Sequence, residues 1–366
     1  VTASVIKNEN CNALGIISAE AKDGTAPYSF MISTSSTLPV ATDPAWSATS
    51  TFTVAAGNYY VFVKDAYGCI QSSAVVPLIK DPEPVIALAV ADDCALEGAF
   101  AINVNLTTPG IGPYTITVNG GAPQNVTVWP YPASNLSSGL QTIVVTDLNG
   151  CASTQTRTLY KKLSVNAELT KELDCTLSPT GLITLTVANG LFNNSDGLPD
   201  FAYELSTDNG GTYGASVNFG NDTRSTTIPA TSSINYQFRV TDLNGCSVVS
   251  TAVTVPVLVD PIATATFTNP SCPTDSDGTL TISATLGVAP YEYSIDGGAN
   301  WQTDDTFTGL SAVTVNYRVR DAKQCIVNGT KTLVDPVLLA ATAAVTDFAC
   351  NASNIPQPAI VTINVT

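Results

Sequence analysis

The residues of this chain best suited to chemistry are its nine cysteines, at positions 11, 69, 94, 151, 175, 246, 272, 325 and 350. Thiols ligate metals, attack electrophiles or oxidise in pairs. The first two roles usually recruit histidine as co-ligand or base, and the 366 residues include none. That removes Ser-His-Asp and Cys-His catalysis, histidine-ligated zinc and the commonest general base. Along the chain a long, variable cysteine gap alternates with one of 24 to 26 residues. Such regularity indicates disulfides formed in an oxidising compartment.

Carboxylates are the next candidates. An Asp stands four residues before a cysteine at Asp65, Asp147, Asp242 and Asp321. Four periodic copies argue for turn-capping through backbone N–H groups, since catalysis does not need a copy per repeat. Asp275-Ser-Asp277-Gly resembles the start of a calcium loop, and Asp196 with Asp200 marks a second acidic loop. Calcium takes six to eight oxygens, and neither segment supplies the full series, so calcium is a candidate ligand only and no other cofactor is expected. Ser294-Ile-Asp296-Gly-Gly298-Ala-Asn-Trp301 fits the Asp-box of sialidase hairpins, with a looser copy from Ser206 to Tyr213. A sialidase also needs an arginine cluster, and residues 262–336 around the first copy have only Arg318 and Arg320, two apart on one expected strand. Asp304 and Asp305 are adjacent, so on a strand they face opposite ways and form no glycosidase pair. No enzyme is expected. Trp46 and Trp129-Pro-Tyr131-Pro are candidates for sugar stacking or for core packing.

Thirty acids against 14 bases give a net charge of −16. A nucleic-acid binder needs a basic face, and an anionic membrane surface repels this chain. No apolar run reaches the roughly 18 residues of a membrane helix. With 44% hydrophobic and 12% charged residues, the chain is not of the disordered class. Val1 opens directly into a strand-like segment, so an export signal has been removed or lies outside this stretch.

These residues recur in register. Thr-Asp-Leu-Asn-Gly-Cys appears at 146–151 and 241–246, Asp-Ala-Tyr-Gly-Cys at 65–69 and Asp-Ala-Lys-Gln-Cys at 321–325. Gln324 replaces the glycine that supplies positive φ, so its turn should be strained or differently shaped. Pro-Tyr opens a strand at 27–28, 113–114 and 290–291, and Asp-Pro marks joints at 81–82, 260–261 and 335–336. The period gives modules at 1–82, 83–162, 163–261 and 262–336, then the truncated start of a fifth at 337–366. Alternating patterns in module four predict six strands, 263–269, 279–285, 291–296, 306–310, 316–321 and 326–333. No amphipathic helix is found, and six or seven short strands in about 80 residues indicate a small antiparallel sandwich.

If six strands run up and down, the loop after strand one and the turn after strand five share an end. Parity then predicts bridges within modules: Cys11–Cys69, Cys94–Cys151, Cys175–Cys246 and Cys272–Cys325, with Cys350 unpaired by truncation. The alternative, Cys69–Cys94, joins points roughly 50 Å apart unless modules fold back.

The Thr-Asp-Leu-Asn-Gly-Cys turn, the Ala-Pro-Tyr opening and the Asp-Pro joints resemble the SprB-type repeat. The resemblance covers all four modules and is strongest at 140–155, 236–250 and 271–325; Gln324 and the longer modules one and three depart from it. It implies an all-β tandem array of Ig-like β-sandwich modules, here with one disulfide inside each. It also implies a Bacteroidota surface adhesin of the gliding-motility kind, extracellular and exported by type IX secretion, with no catalytic residues. Expected partners are surfaces or polysaccharides and the neighbouring modules of the same chain. Lateral self-association is open because exposed Thr, Ser and Asn carry little charge. Module three's extra length, in 189–200 and 214–232, makes it the expected place for a ligand. The alternative is a structural spacer or filament subunit with no ligand of its own.

Overall fold

The computed structural model describes residues 1–193, 196–231 and 234–365. Among them all regular structure is β-strand, and no helix is long and apolar enough to cross a membrane. Alternation explains the strands. In Phe100–Thr108, Phe100, Ile102 and Val104 are fully buried while their neighbours are half-exposed, as expected of one face on a core.

Module two shows the plan in full. Its strands are Val85–Val90, Phe100–Thr108, Tyr114–Val118, Gln124–Val126, Tyr131–Leu136, Gly139–Thr146 and Ala152–Leu159. The first, second and fifth form one sheet; the fourth, third, sixth and seventh form the other, in that order, with antiparallel neighbours. Ile86, Phe100, Ile102, Val104, Ile116, Ile143, Val145 and Leu159 pack between them. This is an Ig-like sandwich of three strands on four. Module four repeats it with Pro261–Thr268, Gly278–Leu286 and Thr306–Leu310 facing Glu292–Ser294, Thr314–Arg320 and Ile326–Thr332. There the fourth strand shrinks to one bridge between Tyr293 and Gln302. In module one it is a bridge between Phe30 and Ser47, and in module three the pair Val217–Asn218.

That short strand corrects the expected disulfides. Successive strands alternate in direction, so odd-numbered and even-numbered loops lie at opposite ends. With seven strands, the first-loop cysteine and the cysteine of the turn after strand six are at opposite ends of one module. The bridges Cys11–Cys69, Cys94–Cys151, Cys175–Cys246 and Cys272–Cys325 therefore do not form, and the expectation of one disulfide inside each module is wrong. Each module's last strand delivers the chain to its first-loop end, where the next module begins at its own cysteine-turn end. The observed bridges join those two ends: Cys11–Cys151, Cys94–Cys246 and Cys175–Cys325, with Cα separations of 5.7, 5.3 and 4.8 Å. Cys69, Cys272 and Cys350 are free and exposed.

The chain divides into two compact units. One comprises 1–164, 188–196 and 241–248, so the cysteine turn of module three belongs with modules one and two; the other comprises 165–187, 197–240 and 249–366. In the second unit, Ala341–Thr346 and Ile360–Val365 pair as a two-stranded ladder, with Cys350 in their connection.

Candidate functional site at the module junctions

Each cysteine turn is built around its aspartate. Asp321 Oδ1 accepts the backbone N–H groups of Lys323 and Cys325 at 2.9 Å, and Oδ2 accepts that of Val288 in the second loop at 2.9 Å. Asp242 does the same with Asn244, Cys246 and Leu191 at 3.0 Å each. Asp147 accepts from Cys151 and Ile111, and Asp65 from Tyr67, Cys69 and Thr25. One carboxylate thus closes the turn and ties it to the second loop. A glycine makes room for it: a Cβ on Gly110 would lie 2.5 Å from Asp147 Oδ2.

At two of the junctions the residue two after that aspartate reaches the preceding module. Asn149 donates its side-chain amide to Asp81 of the Asp-Pro joint at 3.0 Å, and its carbonyl accepts from the Asn12 side chain at 2.9 Å. Asp81 also accepts from Asn8 at 2.8 Å. At the junction of modules three and four, Lys323 bonds Glu172 through its ammonium, and its carbonyl accepts the Cys175 N–H at 2.9 Å. Between modules two and three, the Gly190 N–H donates to the Lys161 carbonyl at 2.9 Å. Around each disulfide the turn is covered: Cys151, Cys246 and Cys325 are buried, as are Asp147, Asp242 and Asp321. None of these junction partners was read from the sequence. The available signal was an amide or ammonium side chain two residues after the aspartate.

The other candidates sit as follows. Asp277 accepts the Ser271 N–H at 2.9 Å, and hydrogen bonding to Ser271 lowers its pKa; Asp275 lies 3.5 Å from the Ser271 hydroxyl. Asp196 accepts from the Asn193 side chain, and Asp200 is buried. Among the described residues one group of three potential metal ligands gathers, Cys175, Asp260 and Cys325. Its two sulfurs are bonded to each other and are not thiolates.

The Asp-box-like hairpins close on themselves. Asp296 accepts the Asn300 N–H and the Ser294 hydroxyl, which lower its pKa. The Thr212 N–H, then the Ser206 and Thr212 hydroxyls, hold Asp208 at about 2. Beside each hairpin an arginine pairs with a glutamate and covers the aromatic: Arg320 with Glu292 over Trp301, and Arg239 with Glu204 over Tyr213, both 4.3 Å from the ring. Asp304 and Asp305 cap Thr306 by its N–H and hydroxyl. Trp46 donates to the Val40 carbonyl, and Trp129 packs edge-on to Tyr114. Of module three's added segments, Asn194, Ser195 and Ser232 lie outside the described residues. The remainder supplies Gly190 to the junction, Leu191 to the Asp242 turn, the module's fifth strand Ser225–Ala230, which pairs with Gly181–Ala188, and the buried Phe219.

The stretch holding the first loop of module four has a known relative. Residues 264–300 match the SprB repeat. The match covers Cys272 and most of the Asp296 hairpin and stops short of the cysteine turn. No curated protein is significantly similar in sequence. Among solved structures, the chain is similar to three N-terminal domains of the bacteriophage RB49 highly immunogenic outer capsid protein, at 12% identity and TM-score 0.38, over 70% of this chain and 98% of that one. It is also similar to invasin, a bacterial integrin-binding protein, at 12% identity and TM-score 0.30, over 96% and 82%. The SprB match, the sandwiches and the disulfides fit an extracellular surface repeat protein.

Proposed function

We propose that the chain is part of the repeat stalk of a secreted bacterial adhesin, with modules at 1–82, 83–162, 163–261 and 262–336 and a fifth opening at 337–366. The observation that carries this is the disulfide at three successive junctions. Tension along an array falls on its linkers, and a covalent bond beside each linker keeps neighbours together when weaker contacts fail. The SprB match over 264–300 supports a cell-surface location, Bacteroidota gliding-type adhesion and type IX export. In this reading the stalk attaches to surfaces or polysaccharides. The test is retention of the full chain on immobilised polysaccharides and on glass, with calcium or with chelator. Retention on at least one surface is the expected result. Loss with chelator would assign calcium to the loops of Asp275 and Asp277 or of Asp196 and Asp200.

A second reading is a spacer with no ligand of its own. The engagement of Trp46 by Lys64, of Trp301 by Arg320 and of Trp129 by Tyr114, each within its own module, favours it, because stacked sugars need free aromatic faces. Absence of retention on every surface would make it the better account.

A further inference from the structure

Asn244 holds the same place in its cysteine turn as Asn149 and Lys323, two residues after the aspartate. Those two side chains bond the preceding module. The Asn244 amide makes no hydrogen bond among the described residues, and only its backbone N–H is engaged, by Asp242. The residue lines a hollow of about 340 Å³ instead, where module three meets module two inside the first compact unit. Module two supplies most of the lining. Thr156 and Thr158 stand on the outward face of Ala152–Leu159, and the exposed Leu140 lies opposite Thr158 on the neighbouring strand. Tyr160 follows the same strand, and Leu191 comes from the added segment of module three.

The polar groups of this hollow are unspent. Elsewhere exposed threonines pair, Thr170 with Thr184 at 3.0 Å and Thr314 with Thr332 at 2.9 Å. The side chains of Thr156, Thr158 and Tyr160 make no hydrogen bond among the described residues. Arg157 also lines the hollow and lies 3.7 Å from Asp93, which balances its charge but is too long for a hydrogen bond. Hydroxyls, an amide and guanidinium N–H groups thus converge beside two leucines with no net charge. Such a mixture in a hollow above roughly 300 Å³ is the make-up of a small-molecule site. In solution water meets these groups, and a ligand rich in hydroxyls can replace that water bond for bond while its C–H surface meets the leucines. A polyanion would instead work against the net charge of −16.

We propose that this hollow binds an uncharged oligosaccharide, with Asn244, Thr156 and Thr158 as its polar contacts. The proposal rests on the attachment to polysaccharides proposed above and gives it a place, the junction of modules two and three.

The test is a titration of the isotope-labelled full chain, followed by NMR, with cellohexaose, maltohexaose, laminarihexaose and the acidic hexagalacturonate. At least one neutral hexamer should shift the Asn244 side-chain amide signals to saturation. The double variant Thr156→Val/Thr158→Val should weaken that binding about tenfold, through two lost hydrogen bonds. Valine keeps the shape and the strand preference of threonine, so the fold is retained. Asn316→Ala/Thr330→Val removes the same chemistry from an exposed pair in module four and should leave binding within about twofold. A neutral hexamer that binds without moving Asn244, and equally well to the Thr156→Val/Thr158→Val variant, would overturn the site and leave polysaccharide attachment standing. A stronger response at Asn244 to hexagalacturonate would overturn the uncharged class. No response to any hexamer from a chain still retained on immobilised polysaccharide would overturn the site alone. No response and no retention on any surface would overturn the site and the adhesin reading together.

Discussion

Gln324 adopts φ +65°, close to the +78° and +80° of Gly150 and Gly245, and its N–H bonds the Asp321 carbonyl at the same 3.0 Å. The turn keeps its shape and carries the strain, because a side chain in the left-handed region costs roughly 1–2 kcal/mol. Gln324→Gly should therefore stabilise module four by about 1 kcal/mol in urea unfolding. Gly110→Ala should act oppositely, by about 2 kcal/mol or more, since its methyl would displace the buried Asp147 carboxylate. Asp260 lies with the Cys175 and Cys325 sulfurs, and an anion there repels an attacking thiolate by about 1 kcal/mol. Asp260→Asn should speed reduction of that bridge about fivefold under limiting reductant. Asp208, lowered from its ordinary 3.8 to about 2, lends its hairpin stability that is complete above pH 3.8 and lost as pH falls through 2; its carboxyl carbon shift should titrate there. The capping aspartates were legible because four copies stood in register. Asn149 and Lys323 were not, because asparagine and lysine after a turn aspartate read as ordinary surface residues.

The strands were legible wherever one face is buried: Gly278–Leu286 and Thr306–Leu310 lie close to their expected ranges. The fourth strand was not, since three residues in module two and a single bridge in module four leave no alternation to read. Missing it reversed one parity and with it every cysteine pairing. The connectivity can be checked directly: in Cys11→Ser the thiol newly released should be Cys151, seen by alkylation and mass mapping after denaturation. A new thiol at any other cysteine would contradict the seven-strand order. The Pro-Tyr signal also has a use that its position did not disclose. The Tyr114 hydroxyl donates to the Gly110 carbonyl at 2.9 Å, and Tyr28 donates to Gly24, fastening the second loop that holds the turn. Tyr114→Phe should cost about 1 kcal/mol.

At the scale of the chain, the disulfides act on its contour. Each closes a loop 140 to 152 residues apart in sequence, worth about 5 kcal/mol in the chain-entropy model. Pulled by its ends, the oxidised chain passes force from Cys11 to Cys151 and from Cys175 to Cys325. The separations so bypassed, 140 and 150 residues, correspond to roughly 1,000 Å of extended chain. Single-molecule pulling should gain that length on reduction, and little gain would contradict the connectivity. The three loops also overlap: 94 falls between 11 and 151, and 175 falls between 94 and 246. Every peptide bond from Cys11 to Cys325 is therefore enclosed by at least one of them. A protease that nicks the backbone once anywhere in that span leaves a single covalent molecule. On a gel it would run whole without reductant and as two pieces with it, so one cleavage in the open medium would not sever what the chain holds together.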